Sequence, residues 1–169
     1  MCGIAGVVEE SKEIYLNNYV DKIASSILHR GPDHVGYFLE EKILLLNTRL
    51  SIIDLKSGNQ PFFSHDKKIV VIQNGEIYNY VEVREKLKQS GVIFSSNSDT
   101  EVILKAYEFY GLDFIQHLNG MFSISIYDKN INKLFLFRDR LGVKPLYYYI
   151  QNSTFLFSSE IKSFLQYPM

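Results

Sequence analysis

The chain has 169 residues, enough for one domain that buries roughly 70% of the surface its unfolded form exposes. Its 46% hydrophobic and 22% charged residues are ordinary for a globular protein, and a net charge of −1 without a basic run argues against a nucleic-acid or membrane-surface partner. No apolar run is long enough for a transmembrane helix, Glu9, Glu10, Lys12 and Glu13 interrupt any secretory core, and a single cysteine forms no internal disulfide, so the expectation is one soluble domain in the reducing cytoplasm.

Residues 2–8 predict the first strand: Ile4, Val7 and Val8 favour extended backbone, and Gly3, Ala5 and Gly6 allow close approach. From Glu13 to Leu28, Leu16, Tyr19, Val20, Ile23, Ala24 and Ile27 recur at spacings of three and four, which predicts an amphipathic helix. HRGPD ends it, with Gly31 as C-terminal cap and Pro32 preventing continuation. VGYFLE and KILLLN predict two strands around a tight turn. If the second continues to Ile53, then Leu44, Leu46, Leu50 and Ile52 share one face and Asn47, Arg49 and Ser51 the other.

KSGNQP reads as a loop and KIVVIQ as a strand, followed by NGE and a helical stretch to about Ser90 with Gly91 as its cap. Ser98 with Glu101 three residues on is the pattern of a capping box at another helix start. GMFSISIYD with KLFLFRD, and PLYYYI with TFLFSS, predict two hairpins, and SEIKSFLQ a short final helix. Strands joined mainly by hairpins, with a few helices between, predict an α+β fold with antiparallel sheets.

His29, His34, His65 and His117 are scattered, with no Cys or second His at ligand spacing, and no Gly-rich phosphate cradle is present. Cys2 has two readings. It is a small buried apolar residue at a strand start, or it is a nucleophile. Trimming of Met1 would leave a thiol and a free α-amine on one residue. That amine has a pKa of about 7.7–8.0, so at neutral pH part of it can accept the thiol proton. Asn74-Gly75 reads equally as a hairpin turn or as an amide and a backbone N–H at a strand end, two donors for a developing oxyanion. Arg49 is either a solvated cation or a fork for a carboxylate. Asp99 and Glu76 are either first-turn acids favoured by a helix dipole or partners for a ligand ammonium. HRGPD and RDRLGVKPLYY read as charge-locked turns as readily as chemistry, and neither is assigned a catalytic part.

MCGIAG, HRGPD, NTRLSIIDL with GNQPF, QNGEIYNY, SDTEVIL, NGMFSISIYD, RDRLGVKPLYY and FSSEIKSF follow one another over nearly the whole chain. Together they closely resemble the glutaminase domain of class II (N-terminal-nucleophile) glutamine amidotransferases, in particular the amino-terminal half of glutamine-hydrolysing asparagine synthetases. The resemblance implies that residues 1–169 form a four-layer α-β-β-α sandwich of two antiparallel sheets. It implies that Cys2 attacks the side-chain amide of L-glutamine, with its own amine as general base and later as proton donor to the departing ammonia. Asn74 and the Gly75 N–H would hold the oxyanion, Arg49 the α-carboxylate, and Glu76 and Asp99 the α-ammonium, with backbone around Ile52 and Ile53 lining the pocket. Water would then release glutamate from the thioester.

The resemblance implies no cofactor or metal for this half. ATP and magnesium belong to the synthetase domain that follows in the full enzymes, and no counterpart of it precedes Met169. The partners expected are L-glutamine and an ATP-dependent synthetase domain or subunit that receives the ammonia, most naturally for asparagine synthesis, with a homodimer left open. Two alternatives stand beside this reading: a non-catalytic glutamine-binding regulatory module, and the glutaminase half of another class II amidotransferase.

Overall fold

A computed structural model describes residues 1–10 and 15–168. Among the described residues, nine strands form two sheets. The first contains β1 (Gly3–Glu9), β2 (His34–Glu40), β3 (Ile43–Arg49), β8 (Tyr147–Gln151) and β9 (Thr154–Ser158), in the order β2-β3-β1-β9-β8. The second contains β4 (Phe62–Phe63), β5 (Ile69–Ile77), β6 (Gly120–Asp128) and β7 (Lys133–Arg138), in chain order. Every strand pair is antiparallel, and the three predicted hairpins are present as β2–β3, β6–β7 and β8–β9.

Period-two alternation sorts the side chains into layers. Ala5, Val7, Leu44, Leu46 and Leu156 face outward and pack under α1 (Val20–Ile27) and the 3-10 turn Ile161–Gln166. Ile69, Val71, Ile77, Phe122, Ile124 and Ile126 of the second sheet pack under α2 (Tyr80–Gln89) and α3 (Asp99–Tyr110). The opposite parity, Ile4, Ile43, Leu45 and Phe157 against Val70 and Ile72, fills the space between the sheets. The result is the expected α-β-β-α sandwich. No helix among the described residues is long and apolar enough to cross a membrane.

Four local expectations are revised. Residues 13 and 14 of the first predicted helix lie outside the described residues. The rest divides into a 3-10 turn at Leu16–Tyr19, α1, and a 3-10 turn at Leu28–Arg30. Gly31 is not a left-handed cap, since its φ is −153°. A glycine suits it because a Cβ there would stand 2.3 Å from the Thr48 carbonyl oxygen. Strand β3 ends at Arg49 and does not run on to Ile53. Strand β5 does not stop before NGE: Asn74, Gly75 and Glu76 pair with Ser123, Phe122 and Met121 of β6, and these pairings override both the hairpin and strand-end readings of Asn-Gly.

The helix ends are closer to expectation. Gly91 has a φ of +87°, and its N–H and that of Val92 close on Lys88 and Leu87, a Schellman cap for α2. Ser98 caps α3 by accepting the Thr100 N–H at 3.2 Å. Glu101 does not complete the box. Its carboxylate accepts the N–H and O–H groups of Ser95 and Ser96, clamping the preceding loop.

Candidate active site

The layer between the sheets is apolar through its middle and polar at one end. Continuing the parity of Ile4 back to residue 2, of Ile43 and Leu45 on to 47 and 49, and of Val70 and Ile72 on to 74 and 76 places Cys2, Asn47, Arg49, Asn74 and Glu76 on the inter-sheet side. There a cavity of about 80 Å³ opens, lined by Cys2, Arg49, Asn74, Gly75, Glu76 and Asp99. That volume is several times the roughly 10–15 Å³ one water requires. Ile52 and Ile53 border it from the loop after β3. The structure therefore brings together every side chain that the resemblance selected, from four separate stretches of chain.

Cys2 immediately precedes β1. The Leu50 N–H donates to its Sγ at 3.4 Å, and Sγ lies 3.7 Å from the Leu50 carbonyl oxygen. Burial pushes the thiol above its ordinary value, against the pull of the Leu50 N–H, the terminal ammonium and the Arg49 guanidinium. A thiol so placed is protonated at neutral pH and needs a base to become a nucleophile.

The backbone of β5 aims one N–H at the open edge of its sheet. Gln73 N–H donates to the Gln60 side chain at 2.6 Å and Ile77 N–H to Asp99 at 3.1 Å, both away from β6. Gly75 lies between them in the same phase, and its partner Phe122 turns its own N–H away to Asp139 at 3.2 Å. Gly75 and Phe122 are thus a non-hydrogen-bonded pair, and the Gly75 N–H points outward. A Cβ on Gly75 would meet the Met121 carbonyl oxygen at 2.2 Å, which restricts this position to glycine.

Arg49 is buried, and much of its fork is already engaged. Nη1 donates to Asn59 at 2.7 Å, and Nη2 to the carbonyls of Ile53 and Asp54 at 2.9 and 2.7 Å. These bonds fix the guanidinium plane and fold the loop over the cavity, leaving Nε and one Nη1 hydrogen for a ligand. Asp99, at the first position of α3, is buried. Desolvation pushes its carboxyl up, and the Gln73 amide and the Ile77 N–H pull against that. Ser51, predicted to share the Arg49 face, instead turns with its loop and donates its N–H to Asp33 at 2.7 Å. Asn47 stitches the sheets by donating to the carbonyls of Gly3 and Gln73.

Two motifs left unassigned prove to be supports. Arg30 of HRGPD donates from Nε to the Cys2 carbonyl at 3.0 Å and from Nη1 to Glu160 at 3.1 Å. Partial burial works against the Glu160 carboxylate, but Lys162, Arg30 and His29 outweigh it and hold the group down at about 2. Because that lies below the unfolded value of about 4.3, the bond network stabilises the fold above that pH and its contribution fades as pH falls toward 2. Glu160→Gln should therefore lower stability near pH 7 by about 1 kcal/mol, allowing for solvent screening. Thermal melts should show the deficit closing below about pH 4.3; a deficit equal at pH 7 and pH 2.5 would refute the assignment.

RDRLGVKPLYY is held by hydrogen bonds from charge to backbone. Arg138 donates to the carbonyls of Lys144 and Gly142, and Asp139 accepts the N–H groups of Val143 and Lys144. This turn presents Lys144, buried at the cavity wall, with its Nζ 2.8 Å from Met1 Sδ. Burial and the Arg30 charge push the Lys144 ammonium below its ordinary value. Sequence reasoning missed this residue; the density of Arg, Asp and Gly before it, with Pro145 after it, was the available signal.

The fold is that of the glutamine phosphoribosylpyrophosphate amidotransferase of Bacillus subtilis, solved with ADP and GMP. The TM-score is 0.78 at 21% identity, over 96% of this chain and 43% of that one. The profile of the glutamine amidotransferase domain matches residues 1–169, and the chain belongs to that family. It is 44% identical over 172 residues to asparagine synthetase [glutamine-hydrolyzing] 2 of B. subtilis, covering 99% of this chain and 23% of the relative. It is 39% identical to the amidase chry2 of Gibberella zeae, over 100% of this chain and 27% of the relative. The chain thus spans about a quarter of the length of these curated relatives.

Proposed function

We propose that this domain hydrolyses the side-chain amide of L-glutamine to glutamate and ammonia, and delivers the ammonia to an ATP-dependent synthetase domain or subunit. The observation that carries the reading is the convergence of one thiol, one outward backbone N–H, one buried guanidinium and one buried carboxyl on a single cavity. Those groups match the parts of one zwitterionic amide.

The chemistry balances with this chain's own atoms. After Met1 is trimmed, the Cys2 amine takes the thiol proton and Sγ bonds to the amide carbon. The carbonyl oxygen becomes an oxyanion facing Asn74 and the Gly75 N–H. Collapse breaks the C–N bond, and the ammonium of Cys2 returns its proton to the leaving nitrogen. Water, deprotonated by the same amine, then cleaves the thioester. Arg30 and Lys144 place positive charge beside Cys2.

No cofactor enters these steps; ATP and magnesium serve only the acceptor half. Aspartate is the acceptor we favour, on the names of the synthetase relatives. Similarity of this same stretch to an amidase indicates that the acceptor is chosen outside it. A reduced cysteine at the chain's working end suits the cytoplasm.

The test is glutamate release from L-glutamine by the purified chain, with intact mass before and after treatment with 6-diazo-5-oxo-L-norleucine. Expected are loss of the Met1 mass, one adduct on Cys2 and turnover abolished by that adduct. A trimmed chain that binds glutamine without turnover would identify a regulatory module instead.

A further inference from the structure

We propose that the Ser159 hydroxyl positions the oxyanion donor, holding the Asn74 amide with Oδ1 toward Ser159 so that Nδ2 is free for the substrate. This rests on the reading of Asn74 as that donor.

Ser159 is buried just beyond β9 and is pinned at both ends to Ile4, two residues after the nucleophile. Its N–H donates to the Ile4 carbonyl at 2.8 Å, and its Oγ accepts the Ile4 N–H at 3.0 Å. Asn74 reaches the same hydroxyl from the other sheet, with Nδ2 3.4 Å from Oγ. In that orientation Oγ accepts twice, and among the described residues no acceptor takes its proton. At the same time Asn74 Oδ1 is buried with no hydrogen-bond partner. Two deficits thus meet in one pair of side chains, in a place where unpaired polar groups are costly.

A half-turn of the amide removes both. Ser159 O–H then donates to Oδ1, while Oγ keeps the Ile4 N–H, so a hydroxyl acts once as donor and once as acceptor. Nδ2, released from Ser159, becomes the unpaired donor of a residue that lines the cavity. The choice of orientation has a chemical consequence. An amide with Nδ2 toward the substrate stabilises the oxyanion, and one with Oδ1 there repels it. The same segment braces the nucleophile strand on either side of Ser159. Ser158 donates to the Ile4 carbonyl at 3.1 Å, and Glu160 binds the arginine that holds the Cys2 carbonyl. FSSE is thereby given a task in both halves of the catalytic machinery.

The experiment compares trimmed wild type, Ser159→Ala, Ser159→Cys, Ser159→Thr and Asn74→Ala. It measures kcat and KM for glutamine and the inhibition constant of L-glutamic γ-semialdehyde. The aldehyde forms a thiohemiacetal with Cys2 and so carries an oxygen into the same site. Ser159→Ala should lose about 10–100-fold in kcat, a fraction of the 10²–10³ expected for a lost donor. Its KM should stay within about twofold, and aldehyde affinity should fall in parallel with kcat. Ser159→Thr, which keeps the hydroxyl, should restore most of both. If the alanine variant does not fold, Ser159→Cys decides, because it keeps the volume but offers only a weak S–H donor; it should show a partial loss in kcat. Wild-type kcat and aldehyde affinity in Ser159→Ala or Ser159→Cys, with Asn74→Ala impaired, would overturn the positioning role. A joint loss of kcat and KM that follows the melting temperature would overturn it as well. Wild-type behaviour of Asn74→Ala would instead remove the donor reading on which the proposal stands.

Discussion

Inserting a lysine between Met1 and Cys2 is expected to cut glutaminase turnover by about 10²–10⁴-fold, the usual contribution of a general base. The insertion prevents trimming, and every atom of the Cys2 side chain stays in place. What changes is the Cys2 nitrogen, which becomes an amide and can no longer accept a proton. Burial holds the thiol above its ordinary value, so spontaneous ionisation does not replace the missing base near pH 7. The acid limb of the kcat/KM profile should therefore move to higher pH in the extended chain, following the thiol and no longer the amine. Cys2→Ala should abolish turnover at every pH. Two results would defeat the assignment: an extended chain that retains wild-type turnover, or one whose acid limb does not move.

The outline of the fold is legible because period-two and period-three-or-four patterns are local. Leu44 and Leu46 announce one face of β3, and Asn47 and Arg49 the other, within seven residues. The same parity marks Asn74 and Glu76 as inter-sheet residues once Val70 and Ile72 are known to be so. Where the reading strayed, long-range pairing had overruled a local preference. Asn-Gly is a turn signal in isolation, yet β6 holds it extended. Glu101 has the spacing of a capping partner, but four donors from Ser95 and Ser96 offer it more than the Ser98 N–H does.

Lys144 and Ser159 escaped for a different reason. A lone lysine or serine has no periodicity, and each acquires its position from the opposite end of the chain. Lys144 lines the cavity beside Cys2, and Ser159 meets Ile4 across 155 positions. The nucleophile strand is central in its sheet, between β3 and β9, so the last strand delivers residues to the first. Closure of that sheet is what completes the site, and folding and catalysis share the same contacts around Cys2.

Asn74→Ala should lower kcat by about 10²–10³-fold while leaving KM near the wild-type value. The split follows from where the groups sit. Arg49 and Asp99, which we assign to the amino-acid end of glutamine, come from β3 and α3 and make no hydrogen bond to Asn74. Ground-state binding therefore survives truncation, and only the state with charge on the amide oxygen loses a donor. The fold should survive too. The one side-chain hydrogen bond lost is the 3.4 Å contact with Ser159, and the amide's unpaired end leaves with it, so the stability change should be about 1 kcal/mol or less. Asn74→Asp sharpens the contrast. It preserves shape but replaces the donor with an acceptor that carries charge into a buried place, so both turnover and melting temperature should fall further than in the alanine variant. Steady-state kinetics beside thermal melts decide the matter: an unchanged kcat in Asn74→Ala, or a KM that rises with kcat intact, would place Asn74 in substrate binding or in the scaffold and outside the oxyanion site.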